Sequence, residues 1–486
     1  MIQPPRKALD ILMHPITPHI ALLLAATAAI FAVGASAQAP GFSAAERAEG
    51  AKVNPQLIAE FGGVYPGPQS AYVRAVGQRI AAQSGLAANP RDYTVTLLNS
   101  NVNNAFAIPG GYVYVSRQLV ALMNDEAELA FVLGHEIGHV AAQHGRKRER
   151  ASGLASVLAG LAGAISGSNI VGSLAGAGAQ AYTLGYSRDQ EREADSLGVR
   201  YLSRAGYDPF ASGDILAELG AQTSLEARLA GRNDKQVGWL STHPANAERV
   251  ARIRREAAKV ATTGQRATNR DAFLNAIDGM AYDDDPAQGI IEGRSFRHGP
   301  LGIAFDAPAG FTMQNSPAAV IGIKPGAGQF QFAGGTAPDI ESYSAKVWQA
   351  AGATAPQPRA TTVNGIEARV SQAHVESRNG TVDATLAVYR WGPDRYYHLL
   401  MLAPGGSAAT FEPMVTSVRR LTPVQAGAIR GRRVDVVTVK PGDTIASMAA
   451  RMAYADNQVA RFTILNGLEA DDRLQPGTRV KLIVRG

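Results

Sequence analysis

Two histidines four positions apart, His135 and His139, flank Glu136 in the run Leu133-Gly134-His135-Glu136-Ile137-Gly138-His139-Val140. On a helix this spacing stacks both imidazoles on one face, where they reach a single ion, and angles Glu136 toward a water beside it. This is the HExxH arrangement, in which the two histidines ligate zinc and the glutamate is a general base for hydrolysis. A buried, mutually satisfied histidine pair is the plainer reading of such residues, and a third ligand decides between the two. A layout needing Gly and a further His on the same segment fails, because the corresponding positions are Ala142 and Gly145. His144 stands at the wrong distance and reads as a helix C-terminal histidine favoured by the dipole there. A layout that takes a carboxylate from a later helix fits the run Arg188-Asp189-Gln190-Glu191-Arg192-Glu193-Ala194-Asp195. There Glu191 and Asp195 share a face. Glu191 then completes a His2Glu site with one position open for water, while Asp195 accepts the outer N–H of a ligand imidazole and fixes its tautomer. Glu193 falls on the opposite face and reads as a solvated charge. The set predicts one Zn2+ per chain on His135, His139 and Glu191, with Glu136 taking a proton from water and passing it to the leaving amine of a peptide bond.

The elements that must position these residues follow from pattern. The helix carrying the two histidines starts at Asp125, with Glu128 at the capping-box position. Around it the pattern is mainly helical, with strands at Tyr93 to Leu98 and Gly111 to Val115. Residues 38–265 are the expected catalytic domain, and 266–290, with Asp283-Asp284-Asp285-Pro286, a linker. Residues 291–425 change to period two and predict a β-rich α+β domain, with helices only after Ile340 and around Phe411 to Val418. It offers no cluster of titratable residues. After a basic stretch, Arg430 to Arg433, residues 434–486 read as strand, Asp-capped helix, second helix ending near Asn466, Pro-Gly turn and strand. Ahead of all this, Arg6 and Lys7, the apolar run Ile20 to Val33 and Ala35-Ser36-Ala37 predict a signal peptide, 1–37, cleaved after Ala37. That run falls short of the roughly twenty residues that span a bilayer. The chain has no cysteine, so it is neither a lipoprotein nor disulfide-bonded, and the periplasm is its expected location. Between Ala151 and Ser187 no residue is charged; a closely packed hairpin is one reading, and a mobile lid or a segment touching the membrane peripherally the other. A net charge of +6 in short clusters, with aromatics at 7%, gives no basic stripe with stacking rings, so nucleic acid is not an expected partner.

At this point the first domain resembles metallopeptidase family 48, the gluzincins that include the CAAX prenyl proteases, HtpX and soluble periplasmic BepA-like enzymes. Besides HEIGH and Glu191 to Asp195, the resemblance rests on the segment Asn104 to Val115 with its Pro-Gly-Gly turn, and on Ser241-Thr242-His243-Pro244 with Arg249. It implies a zincin-like fold with a small edge sheet, peptide hydrolysis, and Arg249 as oxyanion stabiliser; an ordinary surface arginine is the other reading. It also implies His243 as a fourth zinc ligand that holds the enzyme in check, against a plain turn residue. The segment with Asn104, Ala105, Phe106, Gly110, Gly111 and Tyr112 looks like an edge strand along which unfolded polypeptide is laid as an added strand. The last unit resembles a LysM module, a βααβ fold that binds N-acetylglucosamine chains of peptidoglycan, through Val436 to Val439, Gly442-Asp443-Thr444, Ile464-Leu465-Asn466, Leu474 to Gly477 and Val480 to Leu482. Together these describe a multidomain zinc endopeptidase of the envelope, tethered to peptidoglycan and acting on misfolded exported proteins. Two rivals are a zinc-dependent cell-wall hydrolase and a non-catalytic peptidoglycan-binding protein with structural zinc; the second leaves Glu136 without a purpose.

Overall fold

The computed structural model describes residues 41–86, 89–145, 186–229, 239–244, 246–262, 267–377 and 380–486. The expected signal peptide, and the expected lid up to residue 185, lie outside them. Helix α1 (Ala44–Glu60) opens on a capping box between Ser43 and Glu46, and α2 (Pro68–Ala81) follows. Strands β1 (Thr94–Leu98), β2 (Ala105–Ile108) and β3 (Tyr112–Ser116) form a sheet in the order β1-β3-β2, with β1 parallel and β2 antiparallel to β3. After α3 (Arg117–Leu122) comes α4 (Glu126–Ala141), the helix of the two histidines. Asp125 caps it by accepting from Glu128 N, as expected, but the Glu128 carboxylate turns back to Asn124 N at 2.6 Å and leaves the capping box half made.

Helix α4 is buried from Glu126 to His139. Its partner is α5 (Arg188–Arg204), and glycines set how close the two lie. A Cβ on Gly138 would sit 3.1 Å from Ala194 O, and one on Gly198 3.2 Å from His135 N. That approach carries Glu191 and Asp195 beneath His135. Helices α6 (Ala211–Leu229), α7 (Trp239–Thr242) and α8 (Ala247–Val260) complete this part.

The stretch 266–290, expected as a linker, is built into the core. It forms α9 (Arg270–Ile277) and β4 (Ala281–Tyr282), and Phe273, Leu274, Ile277 and Met280 are buried in the same cluster as Phe131 and Leu133. The three aspartates that follow bind in three directions. Asp283 accepts from Gln118 through one oxygen and from Arg432 and Tyr454 through the other. Asp284 accepts from Asn101 and from Ile291 N, and Asp285 from Asn99. Buried Arg117 donates to Asn99 and to the carbonyls of Ala281 and Asp283. A run that reads as a hydrophilic turn is thus a junction where donors from three parts of the chain meet.

The middle region begins with β5 (Ile290–Glu292), β6 (Ser295–His298) and β7 (Ile303–Asp306). Then come β8 (Thr312–Asn315), β9 (Val320–Lys324), β10 (Gly328–Thr336), α10 (Ile340–Ala350), β11 (Arg359–Val363), β12 (Ile366–Ser377), β13 (Gly380–Arg390) and β14 (Arg395–Pro404). It ends with α11 (Glu412–Ser417), β15 (Arg419–Arg420) and the short α12 (Pro423–Gly427). An antiparallel sheet ordered β11-β12-β13-β14-β10-β9-β8 faces a smaller one ordered β15-β7-β6-β5. Phe296, Phe305, Phe330 and Phe332 fill the space on one face, and Tyr343 and Trp348 of α10 cover the other. The α+β expectation and its two main helices agree with this.

The C-terminal unit runs β16 (Arg432–Thr438), α13 (Ile445–Ala449), α14 (Gln458–Leu465) and β17 (Arg479–Arg485), with β16 and β17 antiparallel. Thr444, not Asp443, caps α13; the Asp443 carboxylate instead accepts from Lys440 N. Strand β16 also pairs with β4, Arg432 opposite Tyr282 and Arg433 opposite Ala281. Arg432 and Arg433, read as part of a basic linker, are therefore strand residues. Val434, Met448, Phe462 and Leu482 belong to the same buried cluster as Phe131 and Leu133 of α4, so the two parts share one core. Lys481 is fully buried in that seam, and its ammonium donates to the carbonyls of Ala121, Leu122 and Met123 at 3.0, 3.0 and 2.5 Å. These are end-of-helix carbonyls of α3, which lack intrahelical partners. Burial pushes the Lys481 pKa down to about 7, against the attraction of Glu218 and Glu128.

Candidate metal and catalytic site

Among the described residues, His135, His139, Glu191 and His243 each offer one ligand atom, and these four atoms lie within 4.8 Å of one another. His135 Nε2 is 3.0 Å from His139 Nε2 and 3.1 Å from His243 Nδ1. Glu191 Oε1 is 2.8 Å from His243 Nδ1 and 3.4 Å from His139 Nε2, and Glu191 Oε2 is 3.6 Å from His135 Nε2. A tetrahedron of nitrogen and oxygen ligands about 2.0–2.1 Å from zinc has edges of about 3.4 Å, so the cluster has the size of a zinc site. Glu191 Oε2 is buried and already faces a cation, Arg249 Nη2 at 2.9 Å, so it is Oε1 that lies nearest to His139 and His243. The donor set fits zinc.

Each imidazole is held from behind. Asp195 Oδ1 lies 3.0 Å from His135 Nδ1, at an angle outside that of a hydrogen bond. Arg249 and Arg252 both pair with Asp195, and Arg249, with His135, holds its carboxyl well below the usual range although burial works the other way. Behind His139 stands a residue that the sequence reading set aside. His144 is completely buried, with Nδ1 2.9 Å from His139 Nδ1 and Nε2 3.1 Å from Glu193 Oε2. It does not lie in the last turn of the helix, as its expected role beside the helix dipole requires. Helix α4 stops at Ala141, Gln143 takes a positive φ of 56°, and the chain folds His144 back under the site. Glu193, read as a solvated charge, is half-exposed, yet its carboxylate serves that ring.

Glu136 lies beside the cluster. Its Oε1 accepts from Trp239 Nε1 at 2.9 Å, and His243 Nε2 is 3.5 Å from the same oxygen. The Trp239 ring stacks on His243, and Tyr186 stacks on His139 with centroids 3.7 Å apart. Neither aromatic was singled out in the sequence. Trp239 and His243 do repeat the four-residue spacing of the two α4 histidines, which was the available signal.

Arg249 is placed differently from its expected role. Nε and Nη2 donate to the two Asp195 oxygens, Nη1 donates to the carbonyls of His243 and Pro244, and Nη2 pairs with Glu191 Oε2 at 2.9 Å. All three guanidinium nitrogens are thus engaged with groups of the site itself. The expected edge segment also divides. Asn104 is buried just ahead of β2, and Ala105 and Phe106 lie on it, the strand at the outer side of the sheet. Gly110 and Gly111 form the turn, and Tyr112 begins the central strand β3. Both glycines have positive φ, and a Cβ on either would strike Glu46 or Phe42, so this turn is shaped by α1 and its cap rather than by a bound chain. A cleft lined by Ala107, Ile108, Val140, Gln143 and Tyr186 runs from β2 to His139.

A buried His/Glu cluster with a carboxylate beside it, drawn from two closely packed helices and the loop of His243, could hold a metal ion. Residues 68–257 match peptidase family M48 and residues 437–482 match the LysM domain, so the chain carries an M48 peptidase domain and a LysM domain. The beta-barrel assembly-enhancing protease of Yersinia pestis is 31% identical over 195 residues, 38% of this chain and 38% of that protein. Its counterpart in Escherichia coli K12 is 30% identical over the same share of each chain. The mitochondrial metalloendopeptidase OMA1 of Arabidopsis thaliana is 31% identical over 157 residues, 32% of this chain and 30% of that protein. The chain thus spans less than two fifths of the length of these relatives.

Proposed function

We propose that this chain is a zinc-dependent endopeptidase of the bacterial cell envelope, periplasmic, acting on unfolded or misfolded exported proteins and tethered to peptidoglycan by its LysM domain. The observation that carries the reading is the convergence of His135, His139, Glu191 and His243 within 4.8 Å, with Glu136 alongside. The first three residues would hold zinc, with His243 as a fourth ligand. Zinc there supplies Lewis acidity and brings the pKa of a water to about 7. Glu136 receives the proton of the attacking water and later delivers it to the leaving amine, and the Trp239 N–H fixes the orientation of its carboxylate. Arg249 positions Asp195 and the His243 loop. Strand β2 offers its open edge to an extended substrate, a mode that reads backbone more than side chains. His243 keeps the enzyme latent until its loop moves.

The test pairs two substrates. The full mature chain, incubated with unfolded casein and with purified peptidoglycan sacculi, is expected to cut the polypeptide, to co-sediment with the sacculi and to release no muropeptides. Muropeptide release without casein cleavage would transfer the chain to the cell-wall hydrolases.

A further inference from the structure

We infer that Glu193 and His144 form a positioning relay that selects which nitrogen of His139 faces the metal. The inference rests on the zinc reading above and deepens it. To ligate through Nε2, His139 must carry its proton on Nδ1. That nitrogen faces His144 Nδ1 at 2.9 Å. Two N–H groups cannot point at one another across that distance, so His144 Nδ1 is an acceptor and its ring proton sits on Nε2. Nε2 lies 3.1 Å from Glu193 Oε2, an atom that only accepts. The tautomer of His139 is therefore dictated from the outer end of the chain Glu193, His144, His139.

Without the Glu193 acceptor, His144 can carry its proton on Nδ1 and donate to His139 Nδ1. His139 then carries its own proton on Nε2, the atom whose lone pair the ion needs. No proton is gained or lost; only its place changes. His135 is held in another way, directly by Asp195, which two arginines fix in turn. The two ligands of one helix thus have unlike supports. The relay ends at a glutamate whose side chain is 55% exposed, so it can be altered without opening the core.

The experiment measures the zinc dissociation constant of the full mature chain by competition with a chromophoric chelator, for wild type, Glu193→Ala and Glu193→Gln, together with the melting temperature of each metal-free protein. Glu193→Ala is expected to weaken zinc binding about 10- to 100-fold, the usual cost of losing a partner behind a metal ligand. Glu193→Gln keeps a carbonyl acceptor and should restore most of the affinity, and all three metal-free proteins should melt together. Affinity of Glu193→Ala within twofold of wild type would overturn the relay. So would equal losses in both variants with lowered metal-free melting, which would make Glu193 a structural residue. A wild-type chain that binds no zinc would instead bring down the metal reading itself, and the relay with it.

Discussion

Arg249 grips Asp195 through two nearly equal hydrogen bonds, Nε to Oδ2 at 2.9 Å and Nη2 to Oδ1 at 2.8 Å, while its third nitrogen holds the His243 carbonyl at 2.8 Å. One planar cation thus joins the helix that bears Glu191 to the loop that bears His243. Removing it takes a buried cation away from two buried carboxylates, leaving Asp195 to Arg252 and Glu191 to His243. Arg249→Ala is expected to cost about 3–5 kcal/mol in denaturant unfolding, the range for breaking a buried ion pair. Arg249→Lys should recover little, since an ammonium cannot bridge both oxygens and both carbonyls. Unchanged stability in both variants, with only turnover reduced, would return Arg249 to the oxyanion role.

His243 Nδ1 lies 2.8 Å from Glu191 Oε1, and its ring lies under that of Trp239, which also binds Glu136. In the proposed site it fills the fourth position, which a catalytic zinc otherwise keeps for water or substrate. His243→Ala is expected to keep zinc on His135, His139 and Glu191 and to raise cleavage of an unfolded protein several-fold. Unchanged or lower cleavage at full zinc content would end the inhibitory reading.

The LysM domain shares its core with the peptidase domain and inserts the Lys481 ammonium among three backbone carbonyls. The two domains should therefore melt in one transition. Lys481→Met leaves those acceptors unpaired, at a cost of about 1–3 kcal/mol for a buried polar group losing its partner. Calorimetry of the mature chain, of Lys481→Met and of a chain ending before Arg432 checks this. Separate transitions, or a truncated chain as stable as the whole, would show the LysM domain to be a freely tethered module.

Much of the centre was legible because one helix turn is a fixed length. The spacing of His135 and His139, and of Glu191 and Asp195, states which side chains share a face before any tertiary contact is known. The change to period two marked the middle region as β-rich, and turn and cap signals gave the strand, helix, helix, strand order of the last unit. His144 was misread because its place depends on a single left-handed residue, Gln143, that bends the chain past the helix end. The place of Arg249 was not legible because a sequence does not say which carboxylates a guanidinium will meet. The Asp283 to Asp285 run and Lys481 look like surface charge; what pairs the first and buries the second is a domain docking that no local pattern encodes.

In the middle domain, His398 of β14 is buried, with Nδ1 2.9 Å from the Tyr343 hydroxyl, and burial pushes its pKa down to about 4. The unfolded chain, with an ordinary value of about 6.5, binds more protons across that window, so stability falls as pH drops from about 6.5 to 4. The loss attributable to this residue is at most about 3 kcal/mol. Denaturant midpoints of wild type and His398→Gln, compared at several pH values, should differ in slope over this window. Parallel slopes would contradict it.

The central claim is that Glu136 is the base at a zinc centre rather than a bystander to a structural ion. The decisive measurement is zinc content and cleavage of an unfolded protein by wild type and Glu136→Gln, side by side. The account predicts about one zinc per chain in both proteins, cleavage by wild type and none by Glu136→Gln, because the variant keeps every ligand and loses only the proton acceptor. Undiminished cleavage by Glu136→Gln, or a wild-type chain without zinc, would contradict it.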